Sequence, residues 1–184
     1  MFFLAQKRYK QPAPSNVFLS GLRVQFFDQV KYLGVWINTS LKDDDDILRQ
    51  VESLYRAANK LRGTFDQCSP AVKKTLFRAY CMPVFACQLR SKYTQTSMKR
   101  LRAAYNNAYR IMHYIPRNAS VRPHQISHCV RTFHAVLRNN FYWFFIRCKS
   151  SSNFFIQSLQ MSDVFYKSSF FLNYSTLLYG DQMQ

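Results

Sequence analysis

The stretch Thr96-Ser97-Met98-Lys99-Arg100-Leu101-Arg102-Ala103-Ala104-Tyr105-Asn106-Asn107-Ala108-Tyr109-Arg110-Ile111-Met112-His113-Tyr114-Ile115-Pro116-Arg117 decides the fold class. Met98, Leu101, Tyr105, Ala108, Met112 and Ile115 follow one another at intervals of 3, 4, 3, 4 and 3 residues. That is the seam of a helix packed against other helices. Lys99, Arg102, Asn106, Arg110, His113 and Arg117 form a second stripe, at intervals of 3, 4, 4, 3 and 4. One face packs and another offers cations at helical spacing. Thr96 is the expected cap, and Pro116 closes the segment.

Working outward, the segments on either side read as helices too. Asp43 to Asp46 open a helix whose apolar face is Ile47, Val51, Leu54, Tyr55, Ala58 and Leu61, with Gly63 as its expected end. The four aspartates could be read as metal ligands. A cap with acids in the first turn suits them better, because they precede a periodic helix and complement its exposed N–H groups and dipole. Ser69-Pro70 starts a helix running to about Tyr80, with serine at the cap and proline in the first turn, and Pro83 follows it. The apolar segment Val84 to Leu89 continues the core. One long helical stretch is expected over Pro123 to Lys149, with Val130, Phe133, Leu137, Phe141, Phe144 and Phe145 in the core. A short helix is expected at Phe154 to Gln160.

The N-terminal part is different. Val17 to Leu19, a Ser20-Gly21 turn and the alternating Leu22, Val24 and Phe26 predict a hairpin. Lys31 to Ile37 predicts a third, mostly buried strand, in which Gly34 marks a bulge or a close backbone approach. The expected fold class is therefore mainly α (α+β): a short β-hairpin or three-strand edge, then a bundle of four to five helices. The expected organisation is a β-rich edge over 1–40, a helical domain over 41–150, and a short helix with a poorly ordered tail over 151–184.

The 184 residues carry 26 Lys+Arg against 9 Asp+Glu, a net charge of +17. From Gln67 to Ser162 there is no acidic residue and there are 15 basic ones. Chemistry that needs paired carboxylates has none in that stretch. Such a positive excess points to a polyanionic partner, nucleic acid first and anionic membrane second. Lys99, Arg102, Arg110 and Arg117 are the expected contacts to a phosphate backbone; the competing reading is a solvated face. The five cysteines, an odd number without a CxxC pair, form no disulfide framework or zinc ribbon. The compartment therefore reads as intracellular, nuclear or cytoplasmic. His124, His128 and Cys129 fall short of a ligand set, so no metal and no other cofactor is expected. The run Phe141 to Ile146 is too short to span a membrane and is bracketed by Arg138 and Arg147.

Several segments together resemble a family. They are Lys31-Tyr32-Leu33-Gly34-Val35-Trp36-Ile37, the acidic helix start, Cys68-Ser69 with Val72-Lys73, Leu76-Phe77, Ala79 to Pro83, and Arg100 to Arg110. Their order is similar to the region just after the catalytic motifs of non-LTR (LINE-type) retrotransposon reverse transcriptases. The resemblance implies that Tyr32, Leu33 and Gly34 are a primer-grip-like strand and that the following helices are a polymerase thumb holding an RNA or RNA–DNA duplex without reading its sequence. The family's catalytic aspartates precede this point, and Asp43 to Asp46 lie on the wrong side of the Tyr-Leu-Gly strand to stand in for them. The resemblance thus implies no catalytic residue and no polymerase activity for this stretch on its own, as in a truncated or decayed element copy. The family often has tryptophan where Arg90 follows Leu89. The alternatives are a host-adopted basic helical module that binds nucleic acid and a subunit that docks to a separate palm-containing polymerase chain.

Overall fold

The computed structural model describes residues 18–23, 27–32, 35–40, 42–83, 87, 90, 93–168, 171–172 and 175–176. The class is mainly α with short antiparallel strands at the N-terminal end, as the periodicities predict. Two hairpins come first. β1 (Phe18–Leu19) pairs with β2 (Leu22–Arg23). Ser20 and Gly21 both have positive φ, 48° and 78°. That is the primed turn whose twist matches the strands it joins. β3 (Gln29–Tyr32) pairs with β4 (Val35–Asn38), in the register Gln29↔Asn38 through Tyr32↔Val35. The single strand expected over Lys31 to Ile37 is therefore two strands, because the chain reverses between Tyr32 and Val35. The expected bulge at Gly34 and the expected strand residues Val17, Val24 and Phe26 lie outside the described residues. The β1–β2 ribbon is exposed, and only β4 is half-buried along its length.

The helices follow in order. α1 is Asp44–Phe65, α2 is Pro70–Tyr80 and α3 is Gln95–His113. α4 is Arg122–Ser127, α5 is Phe133–Lys149, α6 is Phe154–Gln160 and α7 is Asp163–Tyr166. α1 and α3 share the main interface. Ile47, Leu54, Ala58 and Leu61 of α1 are buried against Leu101, Ala104, Tyr105, Ala108 and Met112 of α3 in one core. Met98 and Ile115, the two ends of the predicted seam, are half-buried and pack on it. Phe77 of α2 meets Tyr105 and Tyr109 edge-on, at centroid distances of 5.4 Å and 5.1 Å. This is the arrangement that ring quadrupoles favour. Val130, Phe133, Leu137 and Phe141 are buried as expected, and Phe144 and Phe145 are half-buried.

Four boundaries differ from the sequence reading, each for a local reason. α1 runs through Gly63, which has no positive φ, and ends two residues later. Thr94, not Thr96, caps α3: its side chain accepts from Ser97 N–H at 3.2 Å. The long helix expected over Pro123 to Lys149 is broken. Val130 N–H donates to Gln125 C=O at 2.8 Å, Cys129 takes the left-handed conformation at φ 51°, and Thr132 starts α5 by capping Ala135 N–H. The buried Tyr105 hydroxyl donates to Arg131 C=O at 2.6 Å and holds the break from the other side. Finally, α7 follows the expected α6, and the sequence reading did not foresee it.

The acidic run does more than complement a dipole. Asp43 makes no side-chain capping bond. Asp44 accepts from the N–H and the hydroxyl of Thr94, both at 2.9 Å, and so ties the start of α1 to the start of α3. Asp45 accepts from the Asn38 amide at 2.8 Å, which ties it to β4. Asp46 is 0% exposed and accepts on one oxygen from Arg49 and on the other from Arg90, itself 2% exposed. Its Oδ1 also faces Trp36 N–H at 3.4 Å. Arg90, the departure from the resembled pattern, is thus the buried partner of an aspartate.

Candidate functional site

The cationic stripe of α3 is dispersed by the fold. Lys99 and Arg102 are exposed. Arg110 is half-buried and turned inward: one terminal nitrogen donates to Asn107 Oδ1 at 3.0 Å and the other to Ala119 C=O at 3.1 Å. Arg117 lies beyond the helix end. Two hollows open on either side of Arg110, which lines both.

The first hollow is a groove of about 640 Å³ between α3, the loop into α4 and the start of α5. Arg102, Arg110, Arg122 and Arg138 line it together with His134, Gln125 and the first turn of α5. None of the residues lining it is acidic. Burial lowers the His134 pKa, and the positive charges of Arg102 and Arg138 lower it further, so these three groups share one field. The second hollow, about 450 Å³, is lined by Arg62, Arg110, Arg117, Tyr55, Tyr114 and the apolar Ile111 and Ile115, among others. The Arg62 guanidinium lies 4.7 Å from the Tyr114 ring centroid and the Lys73 ammonium 5.1 Å. The Tyr114 hydroxyl donates to Asp66. Lys99 lines neither hollow.

Of the primer-grip-like residues, Tyr32 is 63% exposed on β3. Leu33 and Gly34 lie outside the described residues. The His124–His128 pair is stacked, with centroids 4.4 Å apart, and the fold adds His113 at 5.4 Å from His124 and 5.7 Å from His128. Tyr109 and His124 share a hydrogen bond at 3.0 Å. Burial, then the neighbouring His124 and His128 and the Lys73 charge, push the His113 pKa down to about 4. Among the described residues, no group of three or more His, Cys, Asp or Glu side chains is arranged to hold a metal ion. Among them, too, no helix is long and apolar enough to cross a membrane.

Sequence reasoning put Arg102 and Arg110 on a cationic stripe of one helix, without a groove, and did not single out Arg122, Gln125, His134 or Arg138 as their neighbours. Those four lie on α4 and α5, which the sequence reading merged into one helix. Recognising Thr132 as a cap would have brought the start of α5, and His134 with it, to the end of α4. Comparisons with protein-family models, with curated proteins and with solved structures return no match.

Proposed function

We propose that this chain is a nucleic-acid-binding helical module that holds the sugar–phosphate backbone of an RNA or RNA–DNA duplex without reading its sequence. In this reading it corresponds to the post-catalytic, thumb-like part of a reverse-transcriptase-type polymerase. The carrying observation is the arginine-lined groove at Arg102 and Arg110, set in a stretch of 96 residues with 15 basic and no acidic side chains. A helical surface with unpaired positive excess favours phosphate wherever it lies along the strand. Lys99 extends the basic surface along α3, and Arg117 with Arg62 extends it across the second hollow. The exposed β1–β2 ribbon supports a further aspect of the reading, docking to a palm-containing chain. Phe18, Leu19 and Leu22 show large apolar side chains on a two-stranded edge, and such an edge invites pairing.

The test is binding of a labelled RNA–DNA hybrid at rising salt. Four phosphate contacts, at Lys99, Arg102, Arg110 and Arg117, give a slope of log affinity on log salt of about −3.6. Affinity then falls roughly 150-fold between 50 and 200 mM salt. Lys99→Glu or Arg102→Glu each flattens the slope by about one. A salt-insensitive isotherm, or no binding at low salt, refutes the reading. With primer–template, Mg²⁺ and nucleotides the protein is expected to incorporate nothing, and extension above background removes the non-catalytic assignment. A host-adopted module predicts in addition that the chain melts cooperatively on its own and that charge-reversed variants keep that transition.

A further inference from the structure

Gln125 is 2% exposed, and its backbone is fully committed: its N–H donates to Val121 C=O and its C=O accepts from Val130 N–H. Its side-chain Nε2 is buried and has no hydrogen-bond partner, although the residue lines the arginine groove. Arg110, which lines this groove and the second hollow, likewise has a buried and unpartnered Nε. Buried donors are normally satisfied, and one left open in a polar cavity calls for an acceptor. Around these two donors stand Arg102, Arg122 and Arg138. The first turn of α5 also lies on the wall, adding the positive end of a 17-residue helix.

We propose that this groove is a discrete phosphate site, with the Gln125 amide and Arg110 at its floor and Arg102, Arg122 and Arg138 at its mouth. The charge selects the ligand class. A single carboxylate leaves most of the charge of Arg102, Arg110 and Arg122 uncompensated, whereas a phosphate carries more charge and presents the oxygens that arginine forks match in pairs. The groove's size leaves room for an ester group beyond the phosphorus. The phosphate comes either from a nucleic-acid strand, in which case the site is one fixed seat within the proposed backbone interface and rests on that reading, or from a small free phosphate compound.

The experiment uses the full chain, inorganic phosphate as probe and a labelled RNA–DNA hybrid as competitor, with chloride holding the ionic strength constant. Calorimetric titration and thermal shift are expected to show saturable phosphate binding, displacing the hybrid. Arg102→Gln and Arg122→Gln each weaken phosphate by about tenfold, the loss of one charge-assisted hydrogen bond. Gln125→Leu, which fills the same space without the amide, also weakens phosphate. If the amide is merely a buried unsatisfied group, the same substitution raises thermal stability and leaves phosphate affinity unchanged, and the proposal falls. Phosphate binding without hybrid binding upholds the site and refutes the backbone reading. Saturable phosphate binding that the hybrid does not compete upholds the site and assigns it to a free phosphate compound. Hybrid binding with no saturable phosphate binding, or a response to chloride equal to that to phosphate, overturns the site and leaves the backbone reading standing. Absence of both refutes both.

Discussion

Removing the charge of Asp46 is the most informative single change in this fold. In Asp46→Asn one of the two acceptor oxygens becomes an NH2 donor, so the amide can no longer accept from both Arg49 and Arg90, and the Arg90 guanidinium, which donates to Asp46 at 3.1 Å and 2.8 Å, loses its counter-charge. Arg90 is 2% exposed, so water cannot take over. Breaking a buried pair by neutralising one member costs about 3–5 kcal/mol, mostly the penalty of the stranded ion. A domain of this size has roughly 5–15 kcal/mol in all. The melting temperature therefore falls by about 6–20 °C. The double replacement Asp46→Leu with Arg90→Met removes both ions and is expected to recover most of that loss. The assay is urea denaturation of wild type, Asp46→Leu, Arg90→Met and the double, with Asp46→Asn measured alongside. A coupling of at least about 2 kcal/mol is expected. Additive effects, or a cost for Asp46→Asn below about 1 kcal/mol, refute the claim that this pair joins the start of α1 to the segment after α2. The pair also has a pH signature. Burial acts to raise the Asp46 pKa, but the hydrogen bonds and charge of Arg90, then those of Arg49, outweigh it and hold the value below the usual 3.8. With the folded value below the unfolded one, this stabilisation is complete above pH 3.8 and is lost as pH falls from there. The gap between wild type and Asp46→Asn should close only in that acid range.

Other perturbations probe different parts of the fold. Gly63 lies inside α1 with ordinary helical φ, and a Cβ there would meet nothing within 4 Å. Gly63→Ala should stabilise by about 0.5–1 kcal/mol in thermal melts, and a loss of stability would contradict the helical assignment. His113 titrates in a window separate from that of Asp46. Its pKa falls from 6.5 unfolded to about 4 folded, so the unfolded chain binds the proton first and stability declines as pH drops through that interval. The decline between pH 6.5 and 5 should be about 1.5 kcal/mol by urea denaturation. His113→Phe should flatten it, and an unchanged slope would assign the acid sensitivity elsewhere.

The helical class, the α1 and α3 seams, the Ser69-Pro70 start and α6 were legible because each rests on local rules. Apolar spacing, a capping hydroxyl and a first-turn proline act within a few residues. The break between α4 and α5 was less legible. Its signal, Thr132, is weak alone, and it is decided by the Tyr105 hydroxyl taking the Arg131 carbonyl from another helix. The split of the Lys31 to Ile37 segment into two strands is likewise a pairing choice, since the same apolar residues suit one long strand or two short ones.

By itself, the sequence determined the charge. No arrangement of a chain without acids from Gln67 to Ser162 can make that region anything but basic. It also determined which helix faces pack. Only the tertiary structure decided what the charges meet. Arg90 and Arg49 converge on Asp46, and Arg110 turns inward to Ala119 and Asn107. Arg102 of α3 is joined at one groove by Arg138 of α5 and by Arg122 of α4, the helix that also supplies the buried Gln125 amide. The physical reason is reach. Helical spacing fixes neighbours within one helix, whereas a long arginine side chain finds its partner wherever the packing of other elements brings a carboxylate, a carbonyl or an open groove.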